Sequence, residues 1–238
     1  MSADLNSGLD RVPGIEFSGS SRSSLPVRPA ASGRSRFGIG LLLLGVVGFA
    51  AYNVHVKYAH YLEEESISAL KTAGLVVYDD GRVYKITDPT RRCVTDACLL
   101  HIRDLNRAVQ VDLSNCPQIT DAGLAHLRGH NSICMLRLDR TGVTDAGIKH
   151  LAGMTSLEAL DLSFTGVSDS GLSDLSDLKL DRLFDLHLVA TRISDKGFEQ
   201  LGGLSGLRYV TVGGTRVTHD GEKKLVAANP EVFVFGIK

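Results

Sequence analysis

Three histidines recur at a near-constant step: His101, His126 and His150 stand 25 and 24 residues apart. Imidazoles in register are what a metal site on a repeating scaffold would need, but the distances forbid it. Helices of neighbouring units pack about 8–10 Å apart, whereas the nitrogens that share a zinc ion lie about 2 Å from it. The column therefore reads as a solvated convex surface. Cys93, Cys98 and His101 form C-x4-C-x2-H, and no second ligand pair stands at a usual zinc spacing. Cys116 and Cys134 follow singly. No G-x-S-x-G, H-E-x-x-H or phosphate-binding loop occurs, and no convergent pair of acids can be picked out. The expectation is a protein without catalysis, cofactor or metal, and no small-molecule substrate is evident.

The step of the histidines is also the step of the elements that carry them. Val94, Ile119, Val143, Val167, Ile193 and Val217 are separated by 25, 24, 24, 26 and 24 residues, which is the signature of a solenoid. A hydroxyl residue follows each anchor and an aspartate follows the hydroxyl, as in Thr120-Asp121 or Ser168-Asp169, except at Thr218-His219. Such a pair suits a helix start: the hydroxyl caps, and the carboxylate favours the positive end. Segments beginning at Ala108, Ile133, Leu157, Leu183 and Leu207 share the pattern L-x-x-L-x-L, then a turn ending in a small residue. In one of them Leu157, Leu160 and Leu162 alternate with Glu158, Ala159 and Asp161, so a short strand buries one row and shows the other. Leu172 and Leu175 return from the helix to the same core. One such unit is too thin to bury both rows, but stacked copies form a continuous core, with parallel strands on one wall and helices on the other.

At these residues the chain resembles a known family. Leu113 to Leu124, LSNCPQITDAGL, resembles the cysteine-containing leucine-rich repeat also found in F-box proteins. The T-G-V-T-D-A-G-I form of the next unit is similar to the short repeats abundant in planctomycete-type bacteria, whose arrays are often preceded by a helix and a strand pair. The resemblance covers roughly residues 66–238 and implies an α/β leucine-rich repeat solenoid, strands concave and helices convex. It also places Cys116, Thr141, Thr165, Thr191 and Thr215 where that family keeps a ladder satisfying turn backbone groups. No F-box-like segment precedes the repeats, so a role in ubiquitin ligation is not inherited. An adaptor role would return only for a cytoplasmic array.

The strands' outward side chains are the remaining candidates. Asp112, Arg137, Asp161, His187 and Thr211 form a central column with opposite charges on neighbouring strands, about 4.8 Å apart. Alternation of that kind can simply relieve repulsion along a parallel sheet. Beside it stand Met135, Phe164, Phe184, Val189 and Tyr209, flanked by Arg137, Arg140 and Arg208. These are larger and more apolar than a solvated wall requires, and they have the composition of a protein-contact patch. The expected partner site is therefore Met135, Arg137, Arg140, Asp161, Phe164, Phe184, His187, Arg208 and Tyr209.

Ahead of the array the composition changes. Residues 1–36 hold nine serines, three prolines, five arginines and three acids, a tail expected to be disordered. Residues 37–54, FGIGLLLLGVVGFAAYNV, are uncharged and reach roughly 27 Å as a helix, close to a bilayer core of about 30 Å. The basic flank Arg22, Arg28, Arg34 and Arg36 stays cytoplasmic, and Tyr52, Tyr58 and Tyr61 suit the far interface. A buried globular helix would show an amphipathic face, which this run lacks. The rival is a cleaved signal peptide, for which Gly48-Phe49-Ala50 offers a site but the preceding 36 residues are long. Residues 55–86 read as a helix over 59–73 ended by Gly74, then a hairpin about Asp79-Asp80-Gly81, together covering the first edge of the array at 87–238. Exported repeat proteins often bridge such a cap, which makes Cys93–Cys98 a possible disulfide in an extracytoplasmic domain.

With 26 basic and 27 acidic side chains, the chain lacks the concentrated basic surface of a nucleic-acid binder. The expected protein is a single-pass membrane protein, N-terminus cytoplasmic and array extracytoplasmic. It binds a protein through its concave face, or serves as a structural component of the cell envelope.

Overall fold

The computed structural model describes residues 61–79, 83–89, 94–103, 105 and 107–237. The tail, the expected span at 37–54 and Cys93 lie outside them. Among the described residues no helix is long and apolar enough to cross a membrane.

The chain enters through helix α1, residues 61–72, whose Leu70 is fully buried. Gly74 takes φ 89°, and the Leu75 N–H bonds back to the Leu70 carbonyl at 3.0 Å, ending the helix as its sequence predicts. Strands β1 (Val76–Asp79) and β2 (Val83–Thr87) pair antiparallel, with Val77 opposite Ile86. β2 then pairs parallel with β3 (Ala108–Asp112), so the hairpin closes the edge of the array by continuing its sheet. Between them the irregular first unit is a 3-10 helix, Asp96–Ile102.

From β3 onward strand and helix alternate: α2 (Asp121–His126), β4 (Ile133–Arg137), α3 (Asp145–Ile148), β5 (Ala159–Asp161), α4 (Asp169–Ser176), β6 (Asp185–His187), α5 (Asp195–Gln200), β7 (Tyr209–Thr211), α6 (His219–Ala228) and β8 (Phe233–Phe235). The eight strands form one sheet in chain order, and every pair after β1 and β2 is parallel. Leu136, Leu160, Leu186 and Val210 occupy one register on successive strands and are wholly buried against Leu124, Ile148, Leu172 and Phe198 of the helices. Burying each such side chain is worth about 1.5–3 kcal/mol. The anchors Val94, Ile119, Val143, Val167 and Ile193 are equally buried, which fixes the phase of each turn.

Two side-chain ladders run along the array, one closing each turn and the other joining neighbouring units. Within each turn, Thr141, Thr165, Thr191 and Thr215 donate to the carbonyls of Leu138, Leu162, Leu188 and Val212 at 2.6, 2.5, 2.7 and 2.7 Å. Those hydroxyls do the satisfying work expected of them. Cys116, in the same column, directs its thiol toward Asp88 Oδ2 at 3.7 Å.

The second ladder caps four helices as the sequence suggests and adds a bridge that the sequence does not show. The hydroxyls of Thr120, Thr144, Ser168 and Thr218 accept from the N–H two residues on at only 3.2–3.4 Å, and Thr95 and Ser194 make no such bond. Their shorter bonds run between repeats. Asp96 accepts from the Thr120 N–H and hydroxyl at 2.8 and 2.6 Å. Asp121 does the same to Thr144, Asp145 to Ser168, Asp169 to Ser194 and Asp195 to Thr218, all at 2.6–2.8 Å. A carboxylate has more acceptor capacity than one helix end uses, and bonds to it are the strong ones. The glycine three residues after each bridged hydroxyl, for example Gly147 after Thr144, leaves room for this bridge: a Cβ there would collide with Asp121 Oδ1 of the previous unit.

Candidate protein-contact face

Pleating sends alternate strand residues to the open face of the sheet, and register sorts them into two rows. One row runs Lys85, Gln110, Met135, Ala159, Asp185, Tyr209 and Phe233. The other runs Thr87, Asp112, Arg137, Asp161, His187, Thr211 and Phe235. The column expected from sequence is therefore a physical row, and five expected contact residues, Met135, Arg137, Asp161, His187 and Tyr209, share this face.

The other four flank it. Arg140 and Phe164 sit in the turns after β4 and β5 in the left-handed region, φ 57° and 56°, the seat taken by Asn115, Ala190 and Gly214 in other repeats. The small residue expected at the end of the turn is present in both repeats, as Gly142 and Gly166. The Arg140 guanidinium stacks 3.9 Å above the Phe164 ring, which is 44% exposed. Phe184 and Arg208 precede β6 and β7 at the opposite rim, and Arg208 pairs with Glu231 at 2.8 Å. Val189 is half-buried in a turn and does not join the strand rows.

Charge neighbours in the row do not all pair. Arg137 Nη1 lies 3.7 Å from Asp112 Oδ2, drawn toward β3 and away from Asp161. His187 Nε2 turns to Asp185 on its own strand at 3.2 Å. Asp161 accepts the Ser163 N–H at 2.9 Å, a bond within its own turn. Between these groups, over Ala159, lies a hollow of about 90 Å³ lined by Met135, Arg137, Asp161, Asp185 and His187.

Toward the C-terminal end the face becomes aromatic. Tyr209 and Phe233 stack with centroids 6.0 Å apart and planes 22° from parallel. Tyr209, Phe233 and Phe235 are 45, 60 and 52% exposed. Asp185, Phe233 and Phe235 are additions to the sequence-derived set. F-V-F alternates as any strand does, but the segment reads as plain closure until its register with Tyr209 and Thr211 is known.

The cysteines and histidines lie elsewhere. Cys98 is a free, buried thiol, and its possible bridge to Cys93 falls outside the described residues. Burial pushes the half-buried Cys134 thiol up, and its Sγ donates to the Val109 carbonyl at 3.5 Å, an inert arrangement. His126 is exposed and His101 and His150 are half-buried on the helical side. Among the described residues no group of three or more His, Cys, Asp or Glu is placed to hold a metal.

Comparison with known proteins supplies a class for the repeat. Residues 153–176 match a family described as Leucine Rich repeat. No curated protein matches the chain. Among solved structures, an internalin C2 from Listeria monocytogenes is 19% identical, covering 63% of this chain and 69% of that one, with a TM-score of 0.43. A leucine-rich repeat protein from Leptospira interrogans is 14% identical, covering 58% of this chain and 38% of that one, with a TM-score of 0.36. The matched unit, residues 153–176, spans the turn after α3, strand β5 and helix α4, and the same succession of strand and helix recurs on either side of it.

Proposed function

We propose that this is a membrane-anchored leucine-rich repeat protein that docks another protein on the open, concave face of its strands. It acts by rigid presentation of side chains, without covalent chemistry. Residues 37–54 form the anchor, the N-terminal tail is cytoplasmic and the array extracytoplasmic. The observation that carries the docking reading is the stacked Tyr209–Phe233 pair with Phe235 beside it, all exposed on one face. Rings held rigidly in water on a sheet are what contact patches use, because they bury large area with little ordering loss. The hollow over Ala159 lies well below the roughly 300–1,000 Å³ of small-molecule sites, which favours a macromolecule.

The test is capture by the full chain carrying Tyr209→Ala and Phe233→Ala. Loss of a partner held by the parent, at an unchanged melting midpoint, is expected; undiminished capture of every partner would favour the envelope-component reading instead. For topology, protease added to right-side-out sealed vesicles is expected to digest the array and spare the tail. A protected array would reverse that assignment.

A further inference from the structure

We propose that the segment docked on this face presents a lysine or arginine to the hollow over Ala159, four residues from an apolar side chain that lies on the Tyr209–Phe233 stack. The inference rests on the docking reading and specifies the chemistry of its partner.

Three observations converge on a basic side chain. The hollow is lined by the apolar Met135 and Ala159, and around it stand the carboxylates of Asp161 and Asp185 with Arg137 and His187. A long cationic side chain has that same division, an aliphatic stem and a charged head. Charge across the rows points the same way: Asp112, Asp161 and Asp185 set three carboxylates against two cations, Lys85 on β2 and Arg137 on β4, of which only the Arg137 guanidinium borders the hollow. That guanidinium already leans toward Asp112 at 3.7 Å, leaving Asp161 and Asp185 to an incoming cation. His187, 3.2 Å from Asp185, is the group such a cation would have to share that carboxylate with.

The aromatic stack fixes the second half of the motif. Tyr209 and Phe233 share a row with Ala159, on β7 and β8 against β5. At about 4.8 Å per strand, the stack begins roughly 10 Å from the hollow and ends roughly 14 Å from it. Side chains of an extended segment alternate in direction, so only even spacings face the sheet together, and four residues at about 3.3 Å each cover that distance. A cation in the hollow and an apolar group on the rings are therefore both reachable from one short stretch.

The experiment is selection of a displayed library of random peptides on the full chain in detergent micelles. Recovered peptides are expected to share Lys or Arg four positions from an aromatic or large aliphatic residue. Their affinity should fall about tenfold or more with Asp161→Asn plus Asp185→Asn, a change that keeps shape and removes charge. Asp161→Lys should in turn accept peptides whose basic residue is changed to Glu. Peptides lost with Tyr209→Ala but indifferent to the two Asp→Asn changes would overturn this inference and leave the docking reading standing. Peptides indifferent to both sets would overturn both. An empty selection would overturn the inference alone, since partner capture tests the docking reading separately.

Discussion

Asp121 and Gly147 belong to one device divided between two repeats: the carboxylate reaches across to Thr144, and the missing Cβ at Gly147 makes room for it. Gly147→Ala is therefore expected to destabilise by roughly 1–3 kcal/mol, although alanine is ordinarily the better helix former. In an Asp121→Ala background the obstacle is gone, and the same substitution should become neutral or stabilise by up to about 1 kcal/mol. Denaturant midpoints of the four proteins in this cycle measure the change of sign, and equal effects in both backgrounds would refute the device. Acid should act on the same ladder. The Thr218 N–H, then its hydroxyl, hold the Asp195 carboxyl below the usual carboxylate range. A depressed folded-state value gives stability that is full above the unfolded value near ~4 and lost as pH falls through the folded one. The deficit of Asp195→Asn in thermal melts is thus expected at neutral pH and should shrink as pH falls below ~4. The hydroxyl–Asp pairs are visible in the sequence, and a helix-start role is the natural reading of them. Their bridge is not visible, because the donor lies 23–25 residues away and becomes a neighbour only once the units stack. His219 fits this picture: after it the chain runs through α6 into β8, and no hydroxyl among the described residues stands ready to receive a carboxylate there.

The N-terminal cap shows the same division at the scale of elements. Gly74 and the Asp-Asp-Gly turn announce a helix and a hairpin, and both strands form where the pattern puts them to within a residue or two. What locks the hairpin down is Arg107. Its guanidinium grips Asp79 at 2.9 and 2.7 Å, lies 4.0 Å above the Tyr84 ring and donates to the Tyr84 hydroxyl. Asp79 is 28 residues away in sequence, so no local pattern could have named the pair. Arg107→Ala is expected to speed amide hydrogen exchange in β1 and β2 while leaving β5 to β7 unchanged. Uniform acceleration through the array would mean that the cap and the repeats open as one unit. The turns carry a subtler lesson. A small residue suits the left-handed seat after each strand, yet Arg140 and Phe164 occupy it, and backbone strain of this kind gathers where a side chain is wanted for contact.

At the scale of the whole array, the regular spacing of the anchors was enough to phase the strands, and the charged row emerged as sequence alone suggested. Which members of that row pair, and how far the aromatic stripe extends, depended on packing. Arg137 chooses Asp112 over Asp161, and Phe233 joins Tyr209 through a register no single segment encodes. The face that results has a hollow ringed by charge near its middle and rings at its C-terminal end, whereas Val226 on α6 stands exposed on the helical side. That contrast sets up the most direct test of concave-face docking. A photoreactive phenylalanine analogue is placed at position 209, 235 or 226 of the full chain and irradiated in living cells. The same protein is expected to be cross-linked from positions 209 and 235 and not from 226; a partner trapped from 226 alone would put the interaction on the helical face and contradict the assignment.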